Sequence, residues 1–540
     1  MKRLPSRPDI AQLKKQAKEL FAAYRSGDTT ATDRFRESLP AAAGRNHDEV
    51  FQLGLRLHDA QSCIAREYGF VSWVELKTYV ETLRLKTIDP VALALTFARF
   101  VYAGDVAGGM NRGRPEMAAR LLSDNPDLIG GDPWLACAVG DVALVRRQTE
   151  VDPAWVNQSG GPLNLPPLIA ATHSSLLHLE NYKHRIHEIV DLLLNAGADP
   201  NQTIGNRWPP ASLEEPSDDN PISALYGAAG QNHDPELTRR LLNAGADPND
   251  NESLYHALES LDCTRLLLEA GATVTGTNAL YRALDFDDLP TFQLLVSRAT
   301  GANELRDGKL LLWAIRRRRS PEHIQALLAA GVDKTVLTRD GASAHTQAVR
   351  YGLPDVAEVL LQAGLKSDTA DSDLFVAACA RGDTGTARNI KTSRPDFPDA
   401  LSESQLRLLP ELAAAGCDSA VRVMVELDWP IAVRGGDWSA SALNHAVLRG
   451  DAELTRFLLA HGARWTEEHG YGDNVCGTLS WASINRPVEA GDWAACAQAL
   501  IAHGMPPAER DPSDPAIVIV ADQRRQFSED VNAVLVGDID

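Results

Sequence analysis

Residues 193–201 read Leu-Leu-Asn-Ala-Gly-Ala-Asp-Pro-Asn, and the same nine residues recur at positions 241–249. Each copy closes an apolar stretch with Gly, whose left-handed conformation ends a helix at little cost. Asp-Pro-Asn then turns the chain, because Pro fixes φ and Asx side chains bond nearby backbone groups. The stretch therefore predicts the end of an amphipathic helix followed by a tight turn.

Degenerate copies of this pattern continue along the chain. They place glycine after an apolar stretch at Gly271, Gly301, Gly331, Gly364, Gly462 and Gly504. Asp428 stands where a glycine is expected, and the 64-residue gap from Gly364 to Asp428 indicates a worn copy between them. From Gly197 to Gly504 nine intervals fill 307 residues, about 34 each. A repeat of this length predicts stacked two-helix units.

One copy near the C-terminus shows the whole unit. Residues 441–449 form a short apolar pattern that ends at Gly450, and Asp451 is a natural cap for the longer pattern that follows. The unit is therefore turn, inner helix, turn, outer helix. Two insertions, at 172–183 and 202–220, lengthen connections and are expected on a surface.

The period and the Leu-Leu-x-x-Gly-Ala-Asp-Pro-Asn signature resemble ankyrin repeats over about residues 88–510. The usual Thr-Pro-Leu-His opening appears only as relatives at Ser253, Ala342 and Ser441, and the spacing is irregular. The resemblance implies an all-α solenoid of ten or more stacked helix pairs. It also implies a non-enzymatic scaffold that binds another protein on its concave face and turn tips. Residues 511–540 are expected to form a capping segment or a tail.

Residues 1–84 carry no such signature. Ile10, Leu13, Ala17 and Leu20 follow helical spacing, and a second helix is expected to end at Gly69. The segment is similar to a helical head found before ankyrin repeats in uncharacterised bacterial proteins. We therefore expect a separate helical head domain of unknown role, and the resemblance implies a bacterial origin.

Composition restricts the class of partner. The formal net charge is −20, and residues 85–540 alone carry −23, so nucleic acid is not expected as a ligand. Seven scattered cysteines fit reduced thiols in a cytosol. No secretory signal and no apolar run of membrane-spanning length is present. We expect a soluble, cytoplasmic, monomeric protein that binds no membrane.

No catalytic constellation stands out, and neither a cofactor nor a metal is expected. His187 begins a metalloprotease-like motif that has Asp191 in place of the second histidine, and His184 with His187 makes only a weak candidate metal pair. Cys137 and Cys379 share one slot of the repeat, on the buried face of an inner helix. The tripeptides Arg-Gly-Asp that begin at 381 and 449 have a complete structural explanation as helix stop and cap.

The candidate partner-binding residues are large or basic side chains placed in predicted turns or at helix ends. Trp, Tyr and Arg dominate interface energetics, although each aromatic here could instead pack against its own repeat. The basic run 316–319 complements a helix dipole and could also dock an acidic partner. Trp481 is expected in the core. The candidates are Trp208, Trp438, Trp465, Tyr471, Arg317 and Arg318.

Three other functions stay open at this point. The chain could be a regulatory or inhibitory subunit of one enzyme, or an effector directed to a host. An enzyme centred on the head would have to use His47, His58 or Cys63.

The predicted boundary between the head, residues 1–84, and the repeats can be tested by mutation. Phe70 and Trp73 are placed to fill the junction between two helices of the head. Trp73→Ala should cost about 3–5 kcal/mol and unfold residues 1–84 while the repeats stay folded. Limited proteolysis should then remove the head and leave a resistant fragment. Loss of the whole chain in one transition would contradict a boundary near residue 85.

Overall fold

The structure is a computed structural model that describes residues 2–5, 8–85, 90–109, 112–299, 301–488, 490–512 and 517–537. It divides into two compact units. The first unit comprises Met1–Gln16 and Ile64–Arg306, and the second unit comprises Ala17–Cys63 and Asp307–Asp540. Helices make up most of both units, which confirms the all-α prediction.

The first unit is built from helix pairs, with one β-hairpin in an insertion. Its α-helices are Trp73–Leu85, Pro90–Val101, Gly104–Ala107, Pro115–Asp124, Pro133–Val139, Val142–Val151, Pro167–Thr172, Glu180–Asn195, Ala224–Tyr226, Pro235–Asn243, Ser253–His256, Leu261–Glu269, Ala279–Ala283, Leu289–Arg298 and Asn303–Arg306. Shorter turns of 3₁₀- or π-helix are Pro153–Asn157, Ser175–His178, Gly227–Gln231 and Ala257–Glu259. The antiparallel strands Thr203–Asn206 and Ser217–Ser223 form the hairpin, so the insertion at 202–220 is ordered.

The second unit contains two α-helices from the N-terminal region and the later repeats. Its α-helices are Thr29–Ser38, His47–Gln52, Lys309–Arg316, Pro321–Ala329, Ala344–Arg350, Pro354–Gln362, Asp371–Ala380, Thr384–Ser393, Glu403–Leu406, Leu408–Ala414, Asp418–Glu426, Ala442–Leu448, Ala452–Ala460, Val475–Asn485, Trp493–Ala502 and Glu529–Val536, with a 3₁₀ turn at Pro40–Ala42. The chain passes between the units three times: within helix Ile10–Arg25, within helix Leu57–Glu67 and after Arg306.

A left-handed residue follows nearly every helix of a pair. Gly197, Gly245 and Gly462 have φ values of +91°, +98° and +99° after outer helices. Asp428 has φ +65°, so it does occupy the glycine position that the period assigned to it. Gly450 ends an inner helix at φ +67°. Because these residues reverse the chain, each helix packs against the partner that follows it.

Caps and core follow the repeat as expected. Asp383 and Asp451 accept hydrogen bonds from the backbone N–H groups of Thr386 and Leu454, so the two Arg-Gly-Asp tripeptides are helix stops followed by caps. Cys137 and Cys379, which occupy the same slot of the repeat, are fully buried in inner helices. Across both units the core is formed chiefly by Leu, Val, Ile and Ala side chains of the helix pairs.

The C-terminal residues add a small sheet and a last helix. Strands Glu509–Arg510, Val518–Val520 and Gln523–Arg525 pair antiparallel in that order. Helix Glu529–Val536 packs against Trp493–Ala502 and buries Leu535. The segment expected to be a cap or a tail is therefore folded over its described part.

The junction aromatics of the N-terminal region are buried. The rings of Phe70 and Tyr79 lie 5.1 Å apart, and the Arg120 guanidinium lies 3.9 Å from the centre of the Phe70 ring. Trp73 is 4% exposed. The domain boundary near residue 85 stays a prediction.

No helix among the described residues has the length and apolar character needed to cross a membrane.

The burial of the thiols gives a second test. Six cysteines are buried and Cys417 is partly exposed. Burial raises the pKa of Cys379 and Cys496 to about 12 and that of Cys476 to about 11, which removes the reactive thiolate at neutral pH. At pH 7 a thiol reagent should label Cys417 quickly and the other cysteines only after denaturation. Cys417→Ser should abolish the fast phase, and rapid labelling of a second thiol would contradict this burial.

Candidate functional site

The candidate site begins at the end of helix Lys309–Arg316. Arg318 has φ +57°, and the N–H of Arg319 donates to the carbonyl of Ala314 (3.0 Å), which closes the helix. The corresponding turns after several other inner helices carry glycine at this step, for example Gly352 and Gly450, whereas Arg486 ends helix Val475–Asn485 at φ +45°. A non-glycine residue here costs on the order of 1 kcal/mol. Arg318 therefore occupies a strained position.

A cavity of about 430 Å³ opens beside this helix end. Its lining brings together parts of several repeats of the second unit. The lining residues are Arg316, Arg317, Arg318, Arg319, Glu411, Ala414, Ala415, Gly436, Asp437, Trp438, His445, Leu448 and Arg449. Five arginines against two carboxylates give this arginine pocket a formal balance of +3, on a chain whose net charge is −20.

Two carboxylates hold the first two arginines. The Nε and Nη2 atoms of Arg316 donate to the two oxygens of Glu411 at 2.8 and 3.0 Å, and this paired geometry fixes the guanidinium. Asp437 lies 3.0 Å from Arg316 and 2.7 Å from Arg317. Burial raises the pKa of Asp437, but the arginine hydrogen bonds and charges outweigh it and leave that pKa below its usual value.

The other arginines are also held by defined acceptors. Arg318 donates through Nη1 to the backbone carbonyl of Tyr351. Arg319 donates to the carbonyl of Arg317 from Nε (3.0 Å) and Nη2 (2.8 Å). Arg449 lies 3.0 Å from a carboxylate oxygen of Asp418. The charged groups are thus placed before any partner binds, which lowers the entropy cost of binding.

His445 forms part of the pocket wall and is 2% exposed. It hydrogen-bonds the backbone of Gly435, and its Nε2 has no hydrogen-bond partner among the described residues. The bond to Gly435 is therefore made by Nδ1. Burial lowers the pKa of His445 to about 4, so at neutral pH the ring is uncharged and Nε2 is an acceptor. A side chain at Gly436 would come within 2.7 Å of Nε2.

An aromatic group continues from the pocket along the turn tips. Trp438 meets His445 edge-on at 4.9 Å between ring centres and His469 at 5.0 Å. Tyr471 stacks beside Trp438, with ring centres 6.5 Å apart and planes 17° apart. Tyr471 is 82% exposed, so one large aromatic face is available next to the cationic pocket.

The structure brings four of the six candidate residues together. Arg317, Arg318 and Trp438 line the pocket, and Tyr471 stacks on Trp438. The other two lie elsewhere: Trp465 packs against the hydrophobic core, and Trp208 of the first unit is 43% exposed, with its ring at the position where a side chain on Gly104 would lie.

The expected core position of Trp481 is wrong, because this residue is 45% exposed. Trp481 and Ile484 form an exposed apolar face of helix Val475–Asn485. The sequence pattern does not distinguish such a face from one that is packed against a neighbouring helix. The pocket residues Glu411, His445 and Arg449 were not among the candidates. The sequence could have indicated Arg449, because this residue begins one of the Arg-Gly-Asp tripeptides and therefore lies at the end of an inner helix.

The histidines considered for metal binding take another arrangement. The Nε2 atom of His187 lies 2.7 Å from Asp234, and the Lys183 Nζ lies 3.2 Å from the same carboxylate. Both His187 and Asp234 are buried. Asp234 also caps helix Pro235–Asn243. His187 therefore belongs to a hydrogen-bonded cluster that links two outer helices.

Comparisons with known proteins show similarity to solved structures. No protein-family model matches the chain, and no curated protein matches its sequence. Among solved structures, the chain is similar to the ankyrin repeat domain of Bcl-3, a member of the IkappaB protein family. The identity is 20%, the match covers 48% of this chain and 99% of that domain, and the TM-score is 0.21.

The buried His445 makes stability depend on pH. Its folded pKa of about 4 lies below the ordinary value of 6.5, so between these values the unfolded chain binds a proton that the folded chain does not. Stability should therefore fall as pH drops from about 6.5 to 4, by up to about 3 kcal/mol from this residue. Denaturant unfolding of wild type and His445→Gln across this range measures the effect. Equal pH slopes in the two proteins would show that His445 is not buried in its neutral form.

Proposed function

We propose that the chain is a non-enzymatic scaffold that binds another protein on the turn tips and inner-helix ends of the second unit. The observation that supports this most directly is the arginine pocket with the aromatic pair Trp438 and Tyr471 beside it. Arg, Trp and Tyr are the residues that carry most interface free energy. Here they form one surface, in which Tyr471 is exposed and the arginines are already positioned.

The charge of the surface favours an acidic segment of the partner. The pocket lining has a formal balance of +3, while the chain as a whole carries −20. Such a contrast attracts an anionic group locally and disfavours an extended polyanion such as nucleic acid. Phe, Tyr or Trp side chains beside the acidic group could stack on Tyr471.

Cross-linking in the native cells tests this function. A photo-crosslinking amino acid placed at position 471 should capture a defined protein from those cells. The same amino acid at position 456, which is exposed on outer helix Ala452–Ala460 of the same unit, is the matched control. Capture of the same proteins at both positions would contradict a partner surface at the turn tips.

Variants measure the contribution of individual residues once the captured protein is purified. Tyr471→Ala should weaken binding by about thirtyfold, the effect of losing one interface residue worth about 2 kcal/mol. Arg317→Glu should weaken it further because it places a like charge against the acidic segment. Arg456→Glu makes the same charge change on the outer helix and should leave affinity unchanged. Unchanged binding by both pocket variants would exclude this surface.

A further inference from the structure

We propose that the arginine pocket binds the phosphoryl group of a phosphorylated segment in the partner protein. This inference rests on the proposed function, since it specifies the group that the scaffold recognises. The pocket can be matched to a ligand by its charge balance, its arginine donors and the neutral ring of His445.

The charge balance favours a phosphoryl group over a carboxylate. Of the five arginines that line the cavity, Arg449 is paired with Asp418 and Asp451 outside the lining. The other four arginines stand against two lining carboxylates, a formal balance of +2. A bound carboxylate neutralises one positive charge of the pocket, whereas a bound phosphomonoester neutralises about 1.5 to 2 at neutral pH. Guanidinium groups bind phosphate oxygens in a paired geometry, and a cluster of them is a recurrent way to recognise phosphorylated segments.

One of the donors is held in a strained backbone conformation. Arg318 has φ +57°, a conformation that glycine adopts freely, and turns of the same type at Gly352 and Gly382 carry glycine. Asp428 and Arg486 also take a left-handed conformation at helix ends, so the strain alone does not mark a site. At position 318 it accompanies a cationic side chain in the pocket wall, and strain of this kind clusters at binding sites.

His445 distinguishes the two anions further. Its Nε2 is buried beside the pocket, is uncharged at neutral pH and has no partner among the described residues. A Cβ at position 436 would lie 2.7 Å from this atom, so Gly436 leaves the space beside it unfilled. The singly protonated form of a phosphoryl group, whose second pKa is near 6, can donate its proton to Nε2, while the dianion that predominates at neutral pH carries the second charge that the arginines attract. An ionised carboxylate accepts hydrogen bonds only and leaves Nε2 unsatisfied.

The test uses the full chain and fluorescent pools of short peptides with randomised flanks. The central residue of each pool is phosphoserine, phosphotyrosine, glutamate or unmodified serine, and binding is followed by fluorescence anisotropy. We expect at least one phosphorylated pool to bind about tenfold more tightly than the glutamate pool. Equal binding of the glutamate pool would overturn the proposal in favour of a carboxylate site. If inorganic phosphate at equal concentration displaces the peptides, the pocket binds phosphate alone, and the proposed recognition of a phosphorylated protein segment is wrong.

Arg318→Gly separates binding from folding. Glycine suits the left-handed turn, so the melting temperature should stay within about 2 °C of wild type or rise. Affinity for the phosphorylated pool should nevertheless fall about tenfold. Arg318→Gln should show the same loss, and Arg456→Gln, on the outer helix, is the matched control with no loss. Wild-type affinity in both Arg318 variants would overturn the proposal.

The two proposals can fail separately. If no phosphorylated pool binds but the protein captured at position 471 still binds and Tyr471→Ala weakens it, the scaffold function stands and the phosphoryl site is wrong. If phosphorylated pools bind while position 471 captures nothing specific, the pocket is an anion site and the proposed docking surface is wrong.

Discussion

Most helix pairs in this protein depend on one backbone requirement: the chain must reverse within a few residues after a helix, and a left-handed residue allows this. A single pair cannot bury its apolar face, so the reversal is what places each helix against its neighbours. Gly382 and Gly450 meet the requirement without strain. Asp428 and Arg318 meet it at φ +65° and +57°, which shows that stacking of the repeats can force residues with a side chain into this conformation.

The pocket residues also lie at the ends of inner helices. Arg318 follows one inner helix, Asp437 and Trp438 lie in a turn before another, and Arg449 ends the helix after that turn. Two further inner helices, Ala344–Arg350 and Asp371–Ala380, lie between these positions in the chain, so the second unit brings together repeats that are not neighbours in sequence. A charged cavity can therefore form without any residue leaving its regular place in the repeat. This is how a repeat array obtains a local site from a periodic backbone.

The sequence predicts the periodic part of this arrangement better than the local part. Leu-Leu-x-x-Gly predicts helix ends because propensity and turn chemistry act over neighbouring residues, and Asp428 could be placed by counting alone. Arg317, Arg318, Trp438 and Tyr471 could be named from residue type. Glu411 and His445 could not, because their role depends on which repeats stack together. Trp481 was misplaced since an inner helix that packs on one side only has the same apolar pattern as a buried one.

Electrostatics explains why so many arginines can share one cavity. Like charges at these separations repel, and the repulsion grows as water is excluded. Glu411 and Asp437 reduce it by holding Arg316 and Arg317, while backbone carbonyls accept from Arg318 and Arg319. His445 stays neutral and adds no further charge. At physiological salt the Debye length is about 8 Å, so the acidic remainder of the chain repels an anion only weakly once it is near the pocket. Recognition must then come from short-range contacts, and for these the fixed geometry of the guanidinium groups matters more than the net charge of the protein.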